Sequence, residues 1–214
     1  MEIVLSHLGI LFSGFGATLE LSVIGFVAGG VLGTLLAVCR VVPVAPLRVF
    51  GSVYVEVFRN IPLVALLTLV VFGLPDAGVT YSLFDSAALC LTLVAAAYVC
   101  EAVRGGINAV PVGQAEAARA IGLSLGQSLR AVILPQALRC MVQPLVNVFI
   151  GVALSSSLAA AVGVGELTDH TEQLNLRYAQ AIPAFLVAGL LYLAITLSGA
   201  AAGARLERRL TVRR

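Results

Sequence analysis

Polar side chains that could bind a solute stand inside long apolar runs of this sequence. Of the 214 residues, 60% are hydrophobic and 11% are charged. Glu20 lies within the first apolar run, and a carboxylate in the middle of a membrane costs roughly 2.5–3.5 kcal/mol. We therefore expect Glu20 either to meet an ammonium group in a cavity or to lie near water or a partner charge. A later run carries Asn147, Ser155, Ser156 and Ser157, which could line a solute path or hold helices together.

Two glutamate–arginine pairs have the spacing of one helix face. Glu56 precedes Arg59 by three residues, and Glu101 precedes Arg104 by the same interval. Residues three apart are neighbours on a helix surface. We interpret these pairs as a gate or a brace rather than as a binding site.

The composition excludes several kinds of catalysis. The chain contains no lysine, which the Walker A phosphate-binding loop requires, so any ATP-driven work must come from a partner chain. Its four cysteines form no C-x-x-C pair and stand in or beside apolar runs, as buried hydrophobic residues do. His7 and His170 fall outside the apolar runs, so a histidine cluster within the membrane is missing. We predict no catalytic residue, no metal site and no nucleic-acid partner.

The apolar runs predict about five membrane-spanning helices in one domain that covers residues 1–214, since a span requires about 20 apolar residues. Six spans is the main alternative. The first run is too long for a signal peptide and predicts a retained span. The predicted spans are residues 15–39, 53–74, 86–103, 137–162 and 182–204.

Close helix packing, within the chain or between subunits, is predicted by glycines four residues apart. They are Gly25, Gly29 and Gly33 in the first span, and Gly199 and Gly203 in the last.

The placement of arginine predicts the orientation of the chain, because loops on the cytoplasmic side retain positive charge. Most arginines follow spans one, three and five, whereas the segments after spans two and four are acidic apart from Arg177. This predicts an N-terminus outside the cell and a C-terminus inside, as an odd number of spans requires.

The polar segment over residues 111–135 predicts two short helices between spans three and four. Gly105 and Gly106 are expected to end span three, and Pro111 suits the first turn of a new helix. Gly122 suits a left-handed helix end, and Ser124 with Gln127 forms a capping-box pattern that begins a second helix. Two short helices joined at a glycine form a knob that could dock into a soluble partner.

This segment resembles the cytoplasmic EAA loop of the permease subunits of bacterial ABC importers. The matching residues are Glu116, Ala117, Ala118, Gly122, Leu134 and Pro135, with Val132 where isoleucine is usual.

The whole chain resembles, more narrowly, the polar amino acid uptake permeases, the histidine/glutamate/glutamine group. The supporting segments are residues 58–63 (FRNIPL), 101–107 (EAVRGGI), 114–119 (QAEAAR) and 134–137 (LPQA). Residues 40–44 and 144–147 are most similar to actinobacterial glutamate permeases. Ile61 stands where threonine is usual, and the segment 154–157 has leucine where lysine is usual, which leaves the exact substrate open.

The resemblance implies a transport subunit, not an enzyme, in the bacterial cytoplasmic membrane. It implies two ABC ATPase subunits that carry ATP and Mg, and a second permease chain that is either a copy or a sibling of this one. It also implies an extracellular amino-acid-binding protein, and it favours glutamate as the substrate. The residues it implies for ATPase docking are Glu116, Ala117, Ala118, Arg119, Gly122, Leu134 and Pro135.

Three alternatives remain at this point. A transporter driven by an ion gradient would use intramembrane carboxylates and often shows two inverted halves, but only Glu20 qualifies clearly and no repeat is visible. A membrane-embedded enzyme lacks a catalytic set here. An importer of the same family could carry another amino acid.

Overall fold

The chain is all α-helical over the residues that the computed structural model describes, which are Val4 and residues 6–210. The arginines at 213 and 214 that contribute to the predicted charge pattern lie outside this range. The helices are α1 (Leu8–Val41), α2 (Ala45–Asn60), α3 (Leu63–Asp76), α4 (Leu83–Asn108), α5 (Val112–Ala120), α6 (Leu125–Val162), α7 (Leu167–Tyr178) and α8 (Ala181–Leu210).

Among the described residues, four helices, α1, α4, α6 and α8, are long and apolar enough to cross a membrane. A fifth span is obtained if the bent pair α2 and α3 is counted as one, which agrees with the predicted number. Each of these helices extends several residues beyond its predicted span at one end or both, whereas α6 ends where predicted and α8 begins one residue earlier. The prediction marked only the apolar part of each helix, whereas the helical hydrogen bonds continue through polar ends.

The span predicted over residues 53–74 is a bent pair rather than one helix. The axes of α2 and α3 differ by 102° across the break. Pro62 precedes α3 and has no N–H to donate, and the residue before a proline avoids the helical region. Accordingly, Ile61 is extended, with φ −76° and ψ 130°.

The prediction that Gly105 and Gly106 end the third span is wrong. Helix α4 continues through both glycines to Asn108. Gly106 is buried where Met141 and the Ala137 carbonyl of α6 approach it closely. At this position glycine permits a close helix crossing instead of a helix end.

The second short helix predicted in the polar segment is the beginning of α6 and has no end of its own. A wide turn over Leu129–Ile133 joins it to the rest of α6, and the Leu134 N–H bonds to the Leu129 carbonyl. Pro135 follows directly and cannot donate a hydrogen bond to the preceding turn. The wide turn therefore keeps the helix continuous at a position where proline would otherwise interrupt it.

Helix α1 packs along α4 for much of its length. Gly25, Gly29 and Gly33 face α4 directly, against Leu91, the Ala95 methyl and Val99 respectively. In the same way Gly199 and Gly203 of α8 pack against Phe149 and Val146 of α6. The glycine steps thus serve packing within the chain, which is one of the two predicted roles.

Candidate functional site

A cavity of about 420 Å³ lies between α4, α6 and the start of α3. Its walls come from one face of each long helix, since the lining residues recur at helical spacing. None of the described residues that line it carries a charge. The lining residues are Leu63, Leu91, Val94, Ala95, Tyr98, Ala102, Pro144, Asn147, Val148, Gly151, Val152 and Ser155.

Two of the four polar residues predicted on the path of α6 line this cavity. Asn147 is exposed there, and Ser155 is half-buried. Ser156 is fully buried and donates to the Ala153 carbonyl over 2.8 Å, while Ser157 donates to the Leu154 carbonyl over 2.6 Å. These two serines satisfy their hydrogen bonds within the helix and do not line the cavity.

Glu20 is exposed on α1 and does not line the cavity. The polar groups that line the cavity are therefore uncharged, namely the Tyr98 hydroxyl, the Asn147 amide and the Ser155 hydroxyl. Such a site can donate hydrogen bonds to a carboxylate and accept them from an ammonium group.

Arg59 provides a cation beside the cavity. Its guanidinium carbon lies 5.6 Å from the centre of the Tyr98 ring, which lines the cavity. Glu56 instead accepts from the Asn60 amide over 3.3 Å. The structure thus separates the predicted Glu56–Arg59 pair into two contacts, and Arg59 is held over an aromatic face by a cation–π interaction.

The second predicted pair is part of a three-residue brace. The Glu101 carboxylate forms a salt bridge with Arg40 of α1 and lies 3.6 Å from the Arg104 guanidinium. Arg40 was not predicted as part of the brace, because it lies 61 residues from Glu101 along the chain. The brace ties the last turn of α1 to α4 just before α4 reaches the polar segment.

The polar segment folds as a knob with a defined turn, and we name residues 111–135 the coupling loop. At the end of α5, the Leu123 N–H bonds to the Ala118 carbonyl over 3.1 Å and the Gly122 N–H to the Arg119 carbonyl over 2.9 Å. This is the Schellman pattern. Gly122 has φ +82°, as predicted from its position, and Ser124 with Gln127 forms the predicted capping box.

The surface of the coupling loop is open to a partner. Glu116, Ala117 and Arg119 are exposed, whereas Ala118 is buried beneath them. Leu134 and Pro135 are also exposed, on α6. Apolar side chains add to this surface, because Val112, Ile121 and Leu125 are 72%, 77% and 75% exposed.

A buried carboxylate at the other end of the bundle escaped the sequence analysis, which treated Glu166 as one of several acidic loop residues. The side chain is fully buried. It accepts hydrogen bonds from the Thr18 hydroxyl (3.1 Å), the Tyr192 hydroxyl (2.7 Å) and the backbone N–H groups of Thr168 (2.8 Å) and Asp169 (3.0 Å). Glu166 therefore caps α7 and joins it to α1 and α8.

This chain is similar to known proteins along most of its length. The family described as "Binding-protein-dependent transport system inner membrane component" matches residues 8–212. The "Probable glutamine ABC transporter permease protein GlnM" of Bacillus subtilis is 33% identical, over 98% of this chain and 97% of that protein. The arginine transport system permease protein ArtQ of B. subtilis is 33% identical, over 94% and 92%. The glutamate transport system permease protein GluC of Corynebacterium efficiens is 37% identical, over 73% and 74%.

Solved structures share the fold. A chain of an amino acid ABC transporter crystallised with histidines has a TM-score of 0.90 and 29% identity, with 96% of both chains covered. A chain of the inward-facing methionine transporter MetNI has a TM-score of 0.70 and 28% identity, with 94% of both chains covered.

Proposed function

The chain belongs to the family of binding-protein-dependent transport system inner membrane components, and on this basis we propose that it forms the translocation path for a polar amino acid, with glutamate as the first candidate. It is a multi-pass subunit of an ABC importer in the bacterial cell membrane. It is not an enzyme, because a separate ATPase hydrolyses the ATP in this class of transporter.

The observation that carries the proposal is the connection between the cavity and the coupling loop. Helices α4 and α6 form two walls of the cavity, and the coupling loop continues from the end of α4 through α5 into the first turns of α6. A displacement of the loop therefore acts on both walls at once. The Arg40–Glu101–Arg104 brace links α1 to the same end, so that α1 follows the movement.

In the proposed mechanism, two ATPase subunits bind the coupling loops, and they bind ATP and Mg at the interface between the two ATPases. Closure of the ATPases biases a two-state membrane unit toward its outward-facing state. An extracellular binding protein then delivers the amino acid, and a second permease chain, a copy or a sibling, completes the path. The positive-inside rule supports placing the coupling loop in the cytoplasm and the N-terminus outside.

The chemistry of the cavity supports an amino acid without a positively charged side chain. The described lining residues include no carboxylate that would neutralise such a charge, and an unpaired charge in an apolar site is costly. Arg59 beside Tyr98 supplies a cation for a carboxylate. The likeness to the glutamate permease of C. efficiens supports glutamate among the remaining candidates.

The test is uptake into proteoliposomes that contain this chain, its co-purifying ATPase and the binding protein. We expect labelled glutamate to accumulate only when ATP is present on the ATPase side. This uptake should persist in the presence of ionophores, and unlabelled arginine should compete with it less well than unlabelled glutamate does. Uptake that ignores ATP and collapses with ionophores would contradict the importer and favour the gradient-driven alternative. If unlabelled glutamine competed at a lower concentration than unlabelled glutamate, the assignment of glutamate would be refuted, while the assignment as an importer would stand.

Filling the cavity is expected to block transport without unfolding the chain. Gly151 lines the cavity, and a Cβ placed on it meets no atom within 4 Å. We expect Gly151→Leu to lower the uptake rate about tenfold or more, because the added side chain occupies space that the solute requires. Gly189→Leu is the matched control, since Gly189 lies in α8, away from the cavity, with the same open surroundings. Equal uptake by the two variants would show that the solute takes another path.

A further inference from the structure

A second, larger groove lies on the outside of the bundle between α1, α6 and α8. Its volume is about 840 Å³, and its walls are almost wholly apolar. Phe26 of α1 and Phe149 of α6 meet at its edge with ring centres 5.5 Å apart. Its floor is the tight crossing where Gly203 packs against Val146.

The groove is long enough to hold a lipid acyl chain. Its lining on α8 extends from Ala194 to Leu210, which are sixteen residues apart and therefore about 24 Å at the rise of an α-helix. The hydrocarbon core of a membrane is about 30 Å thick. The groove therefore follows α8 over about four-fifths of that thickness, which takes it past the middle of the bilayer.

Positive charge gathers at the end of the groove that is lined by Leu138, Leu206 and Leu210. Arg209 is exposed and follows Leu206 by three residues, which places it on the same helix face. Exposed Arg205 follows the groove residue Ala202 by the same interval. Arg139 is half-buried and precedes the groove residue Val142 by three residues. Nearby Glu207 accepts a hydrogen bond from Gln143 over 2.6 Å.

We infer that this groove binds an anionic phospholipid, with an acyl chain along α8 and its phosphate among Arg139, Arg205 and Arg209. Basic sites at the cytoplasmic ends of membrane helices attract anionic head groups. The charge distribution argues against a second copy of the chain in the groove. A two-fold contact pairs the same surface of both subunits, so it would bring the arginines of one copy against those of the other at the same membrane depth.

The experiment is native mass spectrometry of the purified importer with phosphatidylglycerol or phosphatidylcholine titrated in. We expect preferential retention of phosphatidylglycerol. The Arg205→Gln/Arg209→Gln variant should weaken its binding by about tenfold or more. Arg48→Gln/Arg177→Gln removes the same charge from exposed positions outside both the groove and the coupling loop and should leave binding unchanged.

A second pair of variants tests the groove itself. Ala202→Phe places a ring in the groove, whereas Ala201→Phe places one on the neighbouring exposed position that does not line it. We expect only Ala202→Phe to displace the lipid. Equal retention of both lipids, or equal binding by the two variants, would overturn the inference. So would self-cross-linking of Ala202→Cys in membranes, in a Cys140→Ser background, since a second copy would then cover the groove.

Discussion

Replacing Glu166 with alanine is expected to cause a large loss of stability for a single side chain. The substitution removes the acceptor for two hydroxyl groups and two backbone N–H groups in a fully buried site. A buried donor left without a partner costs about 1–3 kcal/mol, and we expect a total of roughly 3–5 kcal/mol after local relaxation. The midpoint of thermal unfolding in detergent should then fall by roughly 10 °C.

Two further variants separate the causes of this loss. Glu172→Ala removes an exposed carboxylate from the same helix and should change the midpoint by little. Glu166→Gln retains one oxygen for the backbone N–H groups of Thr168 and Asp169, and should lose less stability than alanine. If Glu166→Ala and Glu172→Ala unfolded at the same temperature, Glu166 would not be the joint between α7, α1 and α8.

Replacing Gly33 with valine is expected to separate α1 from α4. A Cβ on Gly33 would lie 2.5 Å from the Ala96 carbonyl oxygen and 2.7 Å from the Val99 Cβ. Because one of these neighbours is backbone, the clash cannot be relieved by a side-chain rotation. Overpacking in a core costs about 1–3 kcal/mol, and more when the backbone must move. We expect Gly33→Val to unfold or aggregate well below the wild-type temperature, as followed by size-exclusion chromatography after heating.

Gly30 provides the matched control for this prediction. It lies in the same helix, three residues away, and a Cβ placed there meets no atom within 4 Å. Gly30→Val should remain monodisperse at temperatures where Gly33→Val does not. Equal behaviour of the two would mean that the close crossing of α1 and α4 is not required for the fold.

Local features of this chain could be predicted from the sequence because short-range chemistry determines them. The left-handed turn at Gly122 and the capping box at Ser124 each depend on hydrogen bonds within five residues, and both are present. The long helices follow from apolar runs, which only helices can carry across a bilayer as single segments.

Features that join distant parts of the chain could not be predicted in this way. Glu166 bonds to Thr18 across 148 residues, and Arg40 bonds to Glu101 across 61. A single sequence does not show which distant residues are in contact, so Glu166 and Arg40 were interpreted only as charges of the loops. The end of α4 was predicted too early for the same reason, because the role of Gly106 depends on its contact with Met141 of α6.

The coupling loop is the centre of this account, and its docking to the ATPase can be measured directly. We would purify the importer through a tag on the ATPase, and quantify the permease chain that is retained and the ATPase activity that substrate stimulates. Glu116→Lys and Ile121→Asp alter the exposed surface of the loop without touching a buried contact. Leu176→Asp is the control, since Leu176 is 79% exposed in α7, at the opposite end of the bundle.

We predict that the two loop variants lose most of the retained permease and of the stimulated activity, while Leu176→Asp retains both. Retention and stimulation at wild-type levels in folded Glu116→Lys and Ile121→Asp proteins would contradict the account, because the ATPase would then grip the permease elsewhere or not at all.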